Sequence, residues 1–184
     1  MPTVTKVSTG KPKVSGAVFR APAGTALPSD ATTALASAYK ELGYVSSDGV
    51  TNNNTPETEN VKAWGGQTVL VVRNEQTDTF AFTLIESLNA DVLKTVFGDS
   101  KVNVSGQNMT VTADGTEVPE AVFVIDMIMR GGAMKRIVIP NGSISAVGEV
   151  VYRDSEAVGY PITLEAMPNA SGVQHYEYIN LGST

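Results

Sequence analysis

Few residues in this chain have the type and spacing to do covalent chemistry. His175, in GVQHYEYIN, is the only histidine, and there are no cysteines. A two-histidine metal site, a thiolate site and a relay with more than one imidazole are therefore excluded. His175 lies in an alternating segment and reads as structural. Glu57 and Glu59 are a candidate carboxylate pair for acid–base work. Their surroundings are polar, with no apolar wall to raise a pKa, so they read as solvated charges. Asp48-Gly49, Asp114-Gly115 and Asn141-Gly142 are turn dipeptides, and none opens a helix as a phosphate cradle must. Met127, Met129 and Met134 suit a core or a subunit contact. No catalytic residue, metal or cofactor is expected.

The elements that would carry these residues have a period of two. Phe80, Phe82 and Leu84 share one face, as do Tyr160, Ile162 and Leu164, with Thr163 and Glu165 opposite. QTVLVVR (67–73) is a continuous apolar run, the pattern of a strand buried on both faces. Short strands are predicted in KVNVSG and NMTVTADG, and further ones near 14–20, 144–152 and 173–180. NADVLKTVFG predicts a helix capped by Asn89 and ended by Gly98. ALASAYKELG (34–43) is a second helix candidate. The sum is a mainly β chain, a sandwich or barrel with a flanking helix.

Two segments stand out. DGVTNNNTPETENVKAWGG (48–66) holds two valines, one alanine and Trp64 as its apolar residues. It reads as a long polar loop over 47–66. Such loops are usually functional or disordered. Trp64 is either packed in the core or an interface anchor. We expect the segment to reach a neighbouring copy with Asp48, Asn53, Asn54, Glu57 and Glu59, and Trp64 to fix its base. The second is AVFVIDMIMRGGAMKRIVI, two long strands joined at Gly131-Gly132. A two-residue turn pairs Arg130 with Ala133 and Ile128 with Lys135. Asp126, Ile128, Arg130 and Lys135 then share a mixed face. Phe123, Ile125, Met127 and Met129 share an apolar one that also takes Arg136. Long strands with free edges invite association.

The chain has 184 residues and a net charge of −6, with 42% hydrophobic and 17% charged residues, enough to build a core. Residues 1–29 carry Lys6, Lys11, Lys13 and Arg20 and no acid, while the rest holds 9 basic and 19 acidic residues, a net −10. An acidic body does not suit nucleic-acid binding. Residues 1–13 read as an arm, free in the subunit, whose lysines meet acids of another copy; 14–184 read as one domain. The apolar runs are too short to span a bilayer, and the first residues lack the apolar stretch of a signal peptide. The five Asn-x-Ser/Thr sequons then read as by-products of composition.

LPSDATTAL, LGYVSSDGVT, ETENVKAWGGQTVLVVRNEQTDTFAFTLIES, LKTVFG and YPITLEAMPN together resemble the major tail tube proteins of long-tailed, non-contractile bacteriophages. The likeness covers about 13–180, and LGYVSSDG and KAWGGQTV are its most specific parts. It implies a β-sandwich with one flanking helix, related in fold to type VI secretion tube proteins. It implies hexameric rings whose inner strands form a continuous barrel, stacked around a tape-measure protein. Tail terminator and tail-tip proteins would cap such a tube. Double-stranded DNA would pass through it without specific binding, and the subunit itself would not touch a membrane. The location implied is the virion tail, after assembly in the host cytoplasm. On this reading the Asp126, Ile128, Arg130 and Lys135 face lines the lumen, which should be acidic or neutral. The competing class is a monomeric β-sandwich binding module, of adhesin or carbohydrate-binding type, using exposed aromatics.

Overall fold

A computed structural model describes residues 7–13 and 17–182, leaving aside the side chains of Glu57, Asn74 and Glu75. In chain order the strands are β1 (Gly10–Pro12), β2 (Val18–Pro22), β3 (Lys40–Glu41), β4 (Thr51–Lys62) and β5 (Thr68–Leu84). Helix α1 (Ala90–Phe97) follows, then β6 (Val102–Ser105), β7 (Asn108–Val111), β8 (Ala121–Met129), β9 (Met134–Val147), β10 (Tyr160–Met167) and β11 (Tyr176–Asn180). Nine strands join one antiparallel sheet in the order β3-β2-β8-β9-β10-β5-β4, with β1 on the far half of β8 and β11 on the near half of β9. β6 and β7 form a separate small hairpin beside α1.

The sheet folds on itself because β9 serves two neighbours. Its first half pairs with β11 and its second with β10, and Gly142 sits in the second half. A Cβ on Gly142 would lie 2.6 Å from the Phe123 ring and 2.9 Å from Leu164, so only glycine lets the strand pass that close. The larger core lies inside the fold. Val18, Phe80, Phe82, Leu84, Phe123, Ile125, Ile137, Ile139, Ile162 and Leu164 meet there with Val92, Leu93 and Val96 of α1. The alternation expected for 80–84 and 160–165 is the alternation seen. A β-sandwich with a flanking helix is the architecture.

The helix forms where its caps predict. Asn89 Oδ1 accepts from Asp91 N at 3.0 Å, and Gly98 takes a φ of 98° at the other end. The second helix candidate is a correction. Residues 34–43 hold a turn and strand β3 instead. Tyr39 covers Val122, Val124 and Val138 on the outer face of the sheet and donates to the Ala26 carbonyl at 2.9 Å. Burial pushes its phenol pKa up. Tertiary contacts here override a helical period. The strand expected near 144–152 is not a separate element: β9 runs on to Val147, and 148–152 hold no strand.

The largest correction concerns 47–66. It is not a loop. Residues 51–62 are strand β4, paired along its whole length with β5. The actual turn is the short stretch between Lys62 and Thr68, where Gly66 N donates to the Ala63 carbonyl at 2.9 Å.

Candidate assembly interface

The β4–β5 hairpin leaves the body as a two-stranded ribbon. β10 pairs with β5 from Leu84 back to Thr79 and stops there. Beyond Thr79 the eleven strand residues 68–78 extend roughly 36 Å at about 3.3 Å each. Sheet order puts β4 at the end of the sheet, so its outer edge has no strand beside it among the described residues. Pro56 lies on this edge strand, opposite Gln76, and an edge strand is where a sheet tolerates proline. A register shift follows at Glu57/Thr58.

The expectation of a strand buried on both faces over 67–73 holds for the strand and fails for the burial. Val69, Leu70 and Val71 are 62%, 56% and 58% exposed. Neighbours in a strand point to opposite faces, so Val69 and Val71 lie on one face and Leu70 and Val72 on the other. Val61 stands opposite Leu70 and is exposed as well. Trp64 is fully exposed in the turn. It is therefore at the tip, and not at the base as expected, while NNNTPETEN is the shaft. Asp48 is at the root, in a turn where Gly49 N donates to the Ser46 carbonyl at 3.0 Å. Along the shaft Asn53 Oδ1 accepts from Thr55 Oγ1 and Asn54 Oδ1 accepts from Gln76 Nε2, at 2.7 and 2.6 Å. Glu59 stands opposite Val72. The side chain of Glu57 lies outside the described residues.

The 121–139 hairpin differs by one residue in register. Its turn has three residues, Arg130–Gly132, closed by Met129 N donating to the Ala133 carbonyl at 2.7 Å. Ile128 consequently faces Met134, Met127 faces Lys135, and Asp126 faces Arg136. A one-residue slip moves every β9 side chain to the other face. Asp126 and Lys135 therefore do not share a face. Asp126 is buried in the subunit and does not fit the lumen-lining role expected for it. Its carboxylate takes Arg136 Nε and Nη2 in a fork at 2.6 and 2.8 Å. Arg136 Nη1 donates to the Asp30 and Thr33 carbonyls at 3.0 and 2.8 Å. The hydrogen-bonded carboxylate raises the guanidinium pKa further, so the charge is permanent. Asp30 in turn accepts from Thr33 and Thr32, which hold its carboxyl well below the usual range. Arg130 is exposed in the turn, Ile128 is half-buried, and Lys135 pairs with Glu177 at 2.7 Å.

The arm is also a correction in part. Residues 10–12 pair with Met127–Met129 of the same chain, and Lys13 Nζ lies 3.7 Å from Asp126 Oδ2. Lys11 faces Ile128 in the register and is exposed. Lys6 lies outside the described residues. Of the residues singled out in the sequence, Lys11, Lys13, Asp48 and Lys135 line one groove of about 690 Å³ with Met127 and Met129. Trp64, Asn53 and Asn54 belong to the hairpin instead.

Two features were missed. The Val69–Val72 stripe was legible as an apolar run but not as an exposed one. Asp78 falls in register with Phe80, Phe82 and Leu84, an acid at a core position, and is fully buried. That parity was the signal.

The subunit is mainly β, with a flanking helix and a projecting ribbon that exposes aliphatic side chains. The chain belongs to the family described as phage tail tube protein, which matches residues 13–182. No curated protein matches it. The family makes it a structural component of a phage tail, one that assembles with other tail components. No described helix is long and apolar enough to cross a membrane.

Proposed function

We propose that this chain assembles head to tail through its β4–β5 hairpin into hexameric rings that stack as the tail tube. The supporting observation is the hairpin itself, with aliphatic side chains exposed on both faces. A folded domain exposes single apolar residues freely, but a contiguous stripe marks a contact surface. Fully burying a valine or leucine side chain contributes about 1.5–3 kcal/mol, so the stripe can drive association. Because the ribbon of one copy meets a different surface on the next, the contact is heterologous, and such contacts close into rings or run on as filaments. A tube uses both outcomes. We place it in a long, non-contractile tail, around a tape-measure protein and between tail terminator and tail-tip proteins. Double-stranded DNA passes through during ejection without specific binding, and the acidic balance of the body suits such passage, since like charge repels phosphate. The role is structural and not catalytic, in the virion, after assembly in the host cytoplasm.

The native mass of the purified chain tests this. Multiples of six subunits, or longer polymers, are expected. A monomer at every accessible concentration would favour the binding-module reading.

A further inference from the structure

The hairpin has a second anchor just beyond the point where its third strand ends. Asp78 is the last inward-facing, buried residue of β5 before the ribbon leaves the body. Its Oδ1 accepts from Asn52 Nδ2 of β4 at 2.7 Å, and its Oδ2 meets His175 Nδ1. Asn52 Nδ2 also lies 3.1 Å from the Thr79 carbonyl. The His175 ring stands edge-on to Phe80 at 5.4 Å. Next to it, Gln174 Nε2 donates to the Gln76 carbonyl at 2.7 Å. Segment 174–175 therefore holds both the side chain of residue 78 and the backbone of residue 76. The segment is itself fixed, because Asn169 Oδ1 accepts from Ser171 N and Val173 N at 2.9 and 3.0 Å. Asn169 Nδ2 also donates to Tyr176 Oη at 3.1 Å, at the start of β11.

We propose that Asp78, Asn52 and His175 are positioning residues: a clamp that sets the direction in which the hairpin leaves the body, and so presents it to the next copy. The proposal rests on the hairpin being the assembly element. A two-stranded ribbon without a third strand is marginal and free to swing. β10 gives no support past Thr79, and 174–175 supplies the next hold. A buried carboxylate left without donors is strongly disfavoured, so the acid forces Asn52 and the imidazole into one arrangement. An apolar residue at 78 would pack equally well from several directions. The clamp thus joins both strands of the ribbon to the strand that closes the domain.

The sequence supplies two clean probes, one tryptophan at the ribbon tip and one imidazole at its root. In the subunit before polymerisation, the Trp64 anisotropy decay of His175→Ala and Asp78→Ala should gain a nanosecond segmental component absent from the parent chain. Their rate of tube formation should fall at least about tenfold. His175→Asn, whose Nδ2 lies where Nδ1 does and can still donate to Oδ2, should recover most of both. An unchanged Trp64 decay in both variants would overturn the clamp, whatever happens to assembly. A loosened Trp64 with unimpaired assembly would support the clamp and overturn the hairpin's role in assembly. Should the variants not fold, the ¹⁵N spectrum of the intact chain decides. A proton fixed on Nδ1 is expected, and an imidazole exchanging freely with solvent would overturn the proposal.

Discussion

At the residue scale the sharpest consequences come from buried charge and from one glycine. Asp126 and Arg136 form a forked pair whose side chains are nearly inaccessible. Removing one partner of such a pair costs about 3–5 kcal/mol, because the other is left charged and unpaired. Asp126→Asn should lower the unfolding free energy by that order in urea titrations. A loss below about 1 kcal/mol would mean that water reaches Arg136. Gly43 has a φ of +69°, and a Cβ there would overlap the Glu86 carboxylate, which accepts from Tyr44 N at 3.0 Å. Gly43→Ala should destabilise the subunit by about 1–3 kcal/mol. The Arg20 guanidinium donates to Asp99 at 3.0 and 2.8 Å and holds that carboxyl below its ordinary 3.8. A lowered carboxyl stabilises the fold above its unfolded pKa, and the gain disappears as pH falls through the folded value. Arg20→Ala should therefore cost stability at neutral pH and cost progressively less as pH falls through the folded value, which lies below 3.8, read from urea midpoints at neutral and acid pH. Asp126 and Arg136 also show what sequence could not give. Each was visible as a charge in an apolar strand, but the partner of each depended on a three-residue turn in place of a two-residue one.

At the element scale the period-two strands and the capped helix were legible because burial and alternation coincide in Phe80–Leu84, Tyr160–Leu164 and Val92–Val96. The β4 strand was not, because both of its faces are exposed and no alternation is imposed on TNNNTPETENVK. Its strand character comes from β5 alone. Residues 34–43 misled in the opposite direction, since Leu35, Tyr39 and Leu42 fit a helical face but pack on sheet strands. The ribbon also shows how a stability effect and an assembly effect separate. Val69→Ser with Val71→Ser changes side chains that touch little in the subunit. The subunit's stability should stay within about 0.5 kcal/mol, while the concentration needed for polymerisation rises at least tenfold. Equal polymerisation of this variant would exclude that face from the contact.

At the scale of the whole molecule, the net charge of −6 makes copies repel. Raising ionic strength from about 0.01 M to about 0.15 M shortens the screening length from about 30 Å to about 8 Å. If aliphatic burial drives association, polymerisation followed by light scattering should quicken over that range. Slowing would point to ion pairs as the dominant contact. The fold class and the structural role were open to reading from the sequence because they depend on patterns spread over the whole chain. The interface was not, because its apolar stripe is a strand like any other until its exposure is known. Electron microscopy of the intact chain beside one lacking residues 58–74, with Glu57 joined to Glu75 through Asn-Gly, tests the hairpin most directly. The intact chain should form long hollow tubes, and the shortened chain should remain as folded, separate subunits. Tubes from the shortened chain, or none from the intact one, would contradict the account.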